Sequence, residues 1–370
     1  MNKKIKIILG LIILVLIVWG IYSTSKKSEP VSGEPIKIGM ILPLTGDAGD
    51  YGQTAQKAAN LAVEKIMKES NLEIELIFED DQMVPQKAVS ALQKLISIND
   101  IDYVISFSSG EMLAICPLVQ ENEIVLLGNG SSPEVGQCGD FVFSNTPSDS
   151  YQGKVLADKV LEEGYEKVAL LYMNNDYGVG LKNEFGKNFG GDILVTEAYN
   201  LGDSDFRTQL TKVKSENPDA IVIVSLLPEV SRLLKQRMEL GISVPVFGSE
   251  GLKNDNLFDD VRGEALEDIF AVFYSQYEGI EYQEFKNNYL QSYGQDYGAF
   301  ADYVYDNVFV LVNAINECSD IRDTNCVREN IFQTDLVGAT GNITYGDDGI
   351  VKEKSFSLYQ VEDDKFVEVK

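Results

Sequence analysis

Histidine is absent from all 370 residues. Its absence removes the commonest general base, the Ser–His and Cys–His nucleophile pairs, and imidazole metal sites. Acid–base chemistry is left to carboxylates and lysine. Basic residues are also scarce, with 31 Lys and Arg against 58 Asp and Glu and a net charge of −27. A polyanion would repel such a chain, which argues against nucleic-acid binding. The excess acid reads as a well-solvated surface. Cysteine is limited to four residues, Cys116, Cys138, Cys318 and Cys326, and none stands in C-x-x-C spacing. Zinc and dithiol redox chemistry therefore have no support. No metal or cofactor is expected, and no catalytic residue stands out.

Long apolar runs are confined to one place. Lys3, Lys4 and Lys6 precede an uncharged stretch over 7–25, and Lys26 and Lys27 follow it. Such a stretch belongs in a membrane or a translocon, and the lysines keep its start inside. Everything after it then lies outside the cytoplasm, on the cell surface. Ser23 and Ser25 offer a cleavage site for a signal peptide. The length just reaches a membrane span, which favours a retained anchor over 1–27 with a linker over 28–35. No cysteine follows the run, so a lipid-modified N-terminus is not expected. In an exported chain an even cysteine count suggests disulfides. Cys318–Cys326 would close the loop SDIRDTN, and Cys116–Cys138 would tie a helix to the loop after it.

About 335 residues remain, enough for about two domains. Short apolar runs alternate with amphipathic stretches. Strands are expected at 36–42, 74–80, 103–107 and 124–128, with helices at 53–68, 85–97 and 111–121. After a break near 144–150 the alternation restarts. Helices are expected at 152–163, 180–189, 206–216 and 228–240, with strands at 168–173, 193–199, 220–226, 244–249 and 270–277. This pattern predicts an α/β protein with two doubly wound parallel sheets. Helices follow at 281–292 and 299–318, and a shorter one starts at Arg328. The tail reads as strands, with Gly346-Asp347-Asp348-Gly349 as a hairpin signal.

Doubly wound sheets bind ligands beyond the C-terminal ends of their strands. The first such loop, PLTGDAGDYGQ, is not a phosphate loop, and it carries Tyr51. After the third strand, Ser108 and Ser109 precede a helix, where hydroxyls and helix-start N–H groups suit a carboxylate. GNGSSPE adds Asn129 and Ser131; Asn129-Gly130-Ser131 is also a glycosylation sequon. In the second half, NNDYGVG places Tyr177 on a loop facing the first half, and FGSEGL places Glu250 where it can meet an ammonium group. Asp149 sits at the break between the halves.

These strings also carry a resemblance. IKIGMILPLTGDAGDYGQ, IELIFEDDQMVPQKAVSALQKLI, YVISFSSG, VLLGNGSSPE, FVFSNTPSDSYQG, VALLYMNNDYGVGL, DFRTQLTKVKSENPDAIVIVSLLPE and VPVFGSEGL occur in order over 36 to about 345. Together they resemble the branched-chain amino-acid type of extracytoplasmic solute-binding protein, with two periplasmic-binding-protein type I lobes. The resemblance implies Rossmann-like lobes joined by three crossings, near 145–149, 274–278 and 337–341. Lobe 1 would comprise 36–146 plus 277–338, and lobe 2 would comprise 147–276 plus 339–370. It further implies a monomer that closes on a small amino acid and presents it to an ABC permease. Ser108 or Ser109, with Ser131, match the groups that hold the ligand carboxylate. Tyr177 and Glu250 match those that meet its ammonium, and Tyr51 matches the first-loop aromatic. Leu226 stands where several relatives carry an aromatic or polar residue. A membrane-anchored sensor signalling through a partner is the alternative use of the same lobes.

Overall fold

The computed structural model describes residues 35–352 and 354–369. The expected membrane segment over 1–27 lies outside them. Among the described residues, no helix is long and apolar enough to cross a membrane.

β1 (Ile36–Leu42), β3 (Tyr103–Ser106) and β4 (Val125–Gly128) are nearly or wholly buried along their length. Continuous burial is what a parallel strand covered by helices on both faces requires, and it explains why these segments are apolar without alternation. β2 (Ile74–Asp80) is only half-buried, as suits an edge strand. With β5 (Val142–Ser144) these strands form a parallel sheet in the order β2-β1-β3-β4-β5. β5 has three residues and was not anticipated, because so short a strand leaves no periodic signal.

α1 (Gly49–Glu69), α2 (Pro85–Lys94) and α3 (Ser109–Glu121) link these strands. Ala55, Ala58, Ala59 and Ala62 form a wholly buried small-residue stripe on α1. That stripe lets α10 (Ala301–Asn316), itself buried on most sides, pack closely against it. α9 (Ile280–Tyr293) also packs on α1, and α11 (Thr324–Phe332) packs on α10 and β4. The first lobe thus draws on two separate stretches of chain. α11 begins earlier than Arg328 because the Asp323 side chain caps it, accepting from Cys326 N.

The second lobe repeats the plan. β6 (Lys167–Met173), β7 (Asp192–Tyr199), β8 (Ala220–Val224), β9 (Val246–Gly248) and β10 (Ile269–Tyr274) are parallel, in the order β7-β6-β8-β9-β10. The two lobes therefore share one strand order that is invisible as a residue-level repeat. α4 (Asp149–Glu162), α5 (Asp176–Asn188), α6 (Arg207–Glu216), α7 (Glu229–Glu239) and a single turn, α8 (Leu257–Asp260), complete this lobe. β13 (Phe356–Glu362) and β14 (Lys365–Glu368) extend the sheet antiparallel beside β10. Their turn is Asp363-Asp364, both at positive φ, as a tight hairpin demands. The expected hairpin at 346–349 closes only a single bridge, Tyr345 opposite Val351.

The chain crosses between lobes near 145–148 and 275–279. The third crossing differs from expectation. β11 (Leu336–Gly338) and β12 (Gly341–Ile343) pair with each other, and β11 packs on α9 and α10. Ile350 then bridges to Ser144 at the end of β5, with Ser144 N donating to Gly349 O and Val351 N to Ser144 O. Residues 339–351 therefore stay with the first lobe, and the crossing lies near 352–355. Backbone pairing to the open edge of β5 decides this, and that edge was hidden because β5 itself was not foreseen. Lys354 holds the crossing, donating to Thr340 O and Oγ1 at 2.7 and 2.6 Å. Both disulfides form, joining α3 to the loop at Cys138 and the end of α10 to α11.

Candidate functional site

In each lobe the strand order reverses beside its first strand, and the loops after β1 and β3 and after β6 and β8 face a crevice there. A cavity occupies the crevice between the lobes. Its first wall comes from lobe 1. Ser108 is the N-cap residue of α3, and Ser109 is the first residue of that helix. The first N–H groups of a helix have no carbonyl partner within it. Ser109 Oγ accepts from Ser132 N at 3.1 Å, which leaves its own proton free to donate. Ser131 lines the same wall and is held by the Ser144 hydroxyl, which donates to Gly130 O at 2.8 Å. Asn129 accepts from Asn307 Nδ2 at 2.9 Å, while its own amide nitrogen is buried without a partner. Its burial also withdraws the sequon from the surface.

The second wall comes from lobe 2. Asn175 caps α5, accepting from Gly178 N at 2.8 Å, and places Tyr177 on the wall. The Tyr177 hydroxyl shares a hydrogen bond with Ser249 Oγ at 2.7 Å. Glu250 follows β9 on a tight turn that passes over β8. A Cβ on Gly251 would lie 1.9 Å from Ser225 O, so only glycine permits this path. The Glu250 carboxylate is buried and accepts from Gln152 Nε2. Burial pushes it up to about 7, against the pull of Gln152. Burial, and then Glu250, hold Tyr177 well above the usual phenol range.

Of the expected site residues, Ser108, Ser109, Asn129, Ser131, Tyr177 and Glu250 meet on one cavity. Asp149 and Tyr51 do not line it. Asp149 is fully buried at the first residue of α4, behind Ser131 and Glu250. Burial, and then Glu250, raise it far above the carboxylate range; the Ser131 hydroxyl gives partial relief, and neither oxygen has a well-formed hydrogen bond. Tyr51 is a strut between lobes. Its hydroxyl accepts from Leu227 N at 3.1 Å, and burial pushes it up to about 12. Its ring packs on Phe107 and Phe300, which do line the cavity.

The apolar part of the wall was largely missed. Met83, Phe107, Tyr274 and Phe300 join Leu226 there. Met83 and Phe300 both have positive φ, and no sequence pattern marks a large apolar side chain at such a position. Phe107 was readable as a strand end but not as a wall. Among the described residues, no lysine or arginine lines this cavity.

A wall of hydroxyls at a helix start, facing buried acids across an apolar floor, suits a small zwitterion. The family model described as periplasmic binding protein matches residues 35–365. The chain belongs to that family. Among its relatives, a leucine-, isoleucine-, valine-, threonine- and alanine-binding protein of Pseudomonas aeruginosa is 26% identical over 352 residues, covering 90% of this chain and 91% of that protein. A Leu/Ile/Val-binding protein of Rhizobium johnstonii is 28% identical, covering 91% and 95%. A solved leucine-binding protein from Thermotoga maritima has a TM-score of 0.82 at 27% identity, covering 90% of this chain and 98% of that one. A branched-chain amino-acid transporter substrate-binding protein from Streptococcus pneumoniae, solved with isoleucine, shares the fold at TM-score 0.81 and 24% identity, covering 91% and 100%. Periplasmic binding proteins are solute-binding rather than enzymatic, and membership places this one outside the cytoplasm.

Proposed function

We propose that this protein captures a small α-amino acid with an apolar side chain between its lobes and presents it to an ABC permease. The observation that carries the reading is Glu250, a buried carboxylate in a cavity on whose wall, among the described residues, no cation stands. Glu250 and Asp149 together need a positive charge, and a ligand ammonium supplies one. The ligand carboxylate then lies at the start of α3, against Ser109, Ser131 and the free Asn129 amide. Its side chain meets Phe107, Leu226 and Phe300. A longer polar side chain would leave its own groups unpaired against that floor.

Closure is the mechanism. A ligand that touches both walls binds the closed form better and shifts the population toward it. The strut from Tyr51 to Leu227 N adds a contact belonging to that form. The binding of leucine, isoleucine and valine by relatives supports the ligand class.

A thermal-shift screen against amino acids, small amides, urea and sugars tests this. A ligand at 100 times its Kd stabilises the fold by about 2.7 kcal/mol. We expect leucine, isoleucine or valine to raise Tm by several degrees and the amides and sugars to leave it unchanged. No shift with any amino acid, for protein freed of co-purified ligand, would refute the reading.

A further inference from the structure

Ser108 lines the cavity, yet its hydroxyl is already engaged: it donates to the Glu111 carboxylate. Glu111 is the third residue of α3 and is 1% exposed. Beside it lies Asp81, with 0% exposure. Asp81 Oδ1 accepts from Met83 N at 2.9 Å, and its Oδ2 has no partner. Two residues of the ligand wall, Ser108 and Met83, are thus each bonded to a buried acid that the binding scheme does not use.

Among the described residues, no cation answers these acids. Lys87 of α2 turns to Gln82 Oε1, and Lys94 pairs with Glu79. The other charged groups nearby are acids. Asp80 is occupied by Leu44 N, Thr45 and Gln82 N. Glu134, on the turn after β4, takes the Ser132 hydroxyl. Asp176 approaches from lobe 2, its Oδ2 lying 3.2 Å from where a Cβ on Gly110 would stand. Burial, and then Glu111, push Asp81 up to about 8. Burial also raises Glu111, against the pull of the Ser108 bond.

One hydroxyl proton cannot serve two anions. While Glu111 is ionised, Ser108 donates to it and turns a lone pair toward any incoming carboxylate. Once Glu111 carries a proton, its O–H donates to Ser108 Oγ, and the Ser108 proton is released toward the ligand. We propose that Glu111 positions Ser108 for the ligand's α-carboxylate only when protonated, so that Glu111 and Asp81 make capture proton-linked. This rests on the amino-acid reading of the cavity. Where the pair already shares a proton, binding moves it from Asp81 to Glu111 and affinity is flat. Where both are ionised, binding takes one proton from solvent, and affinity falls as pH rises, by about tenfold per unit. Glu250 and Asp149 act in the opposite sense, since each gives up its proton to an ammonium ligand, and they do so alike with or without Glu111.

The test is calorimetry with L-leucine, or with whichever amino acid of the screen replaces it, from pH 6 to 9, on the full chain and on Glu111→Gln. The glutamine amide donates to Ser108 Oγ at every pH. We expect the two proteins to bind alike at pH 6. By pH 9 the unmodified protein should have lost about tenfold in affinity relative to the variant. Loss of the ligand's own ammonium proton affects both equally. At pH 8.5, titrations in two buffers of different ionisation enthalpy should show more proton uptake by the unmodified protein than by the variant. Glu111→Met, of similar length and without a titrating group, also frees the Ser108 proton at every pH and serves if Glu111→Gln does not fold. Parallel pH profiles, or equal proton uptake by protein and variant, would overturn the proposal while leaving the amino-acid reading intact. Failure of every amino acid to bind the unmodified protein would overturn both.

Discussion

Glu250 shows what one buried side chain contributes. It stands on a turn that only Gly251 permits, and its bond from Gln152 compensates part of its burial. Glu250→Ala removes the charge that the ligand ammonium needs, and affinity should fall 100-fold or more, roughly 3 kcal/mol. Calorimetric Kd values check this, and unchanged affinity would remove Glu250 from the site. The same residue sets the acid limb. Its carboxyl is raised to about 7 in the unliganded protein, so below that pH an ammonium ligand must displace a proton. On this account alone, affinity should rise from pH 5 to pH 7, before the fall that ionisation of Glu111 and Asp81 brings at higher pH. Glu250 was legible because a strand end followed by a glycine turn exposes the residue between them. Tyr51 was legible as an aromatic near the cleft but not as a strut, since its partner, Leu227 N, is 176 residues away.

At the scale of elements, α1 and α3 meet the second lobe in different ways. α1 reaches across through the Tyr51 hydroxyl. Tyr51→Phe keeps the ring packing and removes the acceptor, weakening the closed form by about 1 kcal/mol. Binding should loosen several-fold, with the order of preference among amino acids unchanged; a reordered panel would place Tyr51 on the ligand after all. α3 presents its start to the ligand and is tied near its middle by Cys116–Cys138. Replacing both cysteines by alanine frees the loop in the unfolded chain and should lower stability by about 3 kcal/mol. The bond lies away from the start of α3, so Kd should move by no more than a few-fold. A large loss of affinity with no loss of Tm would mean that the bond shapes the site itself.

The whole molecule carries its acidity inward as well as outward. Asp81, Asp149, Glu250 and Asp302 are held above the carboxylate range, in each case chiefly by burial, with Glu250 and Asp302 near 7 and Asp81 near 8. For an acid whose folded value is raised, the associated stability is complete below the unfolded value, near 4. It is lost as pH rises through the folded value. The unliganded protein should therefore melt several degrees lower at pH 8.5 than at pH 5.5. Repulsion within a net charge of −27 acts in the same direction, and 0.5 M salt should suppress that part but not the buried part. A melting temperature that is flat or rising over this range would contradict the burial of these groups.

The α/β class, the parallel sheets and the loops that carry Ser108, Ser131, Tyr177 and Glu250 could all be read along the chain. Each depends on local periodicity or on a strand-to-helix junction, and both are written in consecutive residues. The cysteine pairs were legible for the same reason, since both are local in sequence. Only the tertiary structure decided the apolar floor, the strut from Tyr51, the bond from Gln152 and the place of the third crossing. Each of these joins residues from elements far apart in the chain, where burial and unpaired backbone edges select the partner and no local pattern records it.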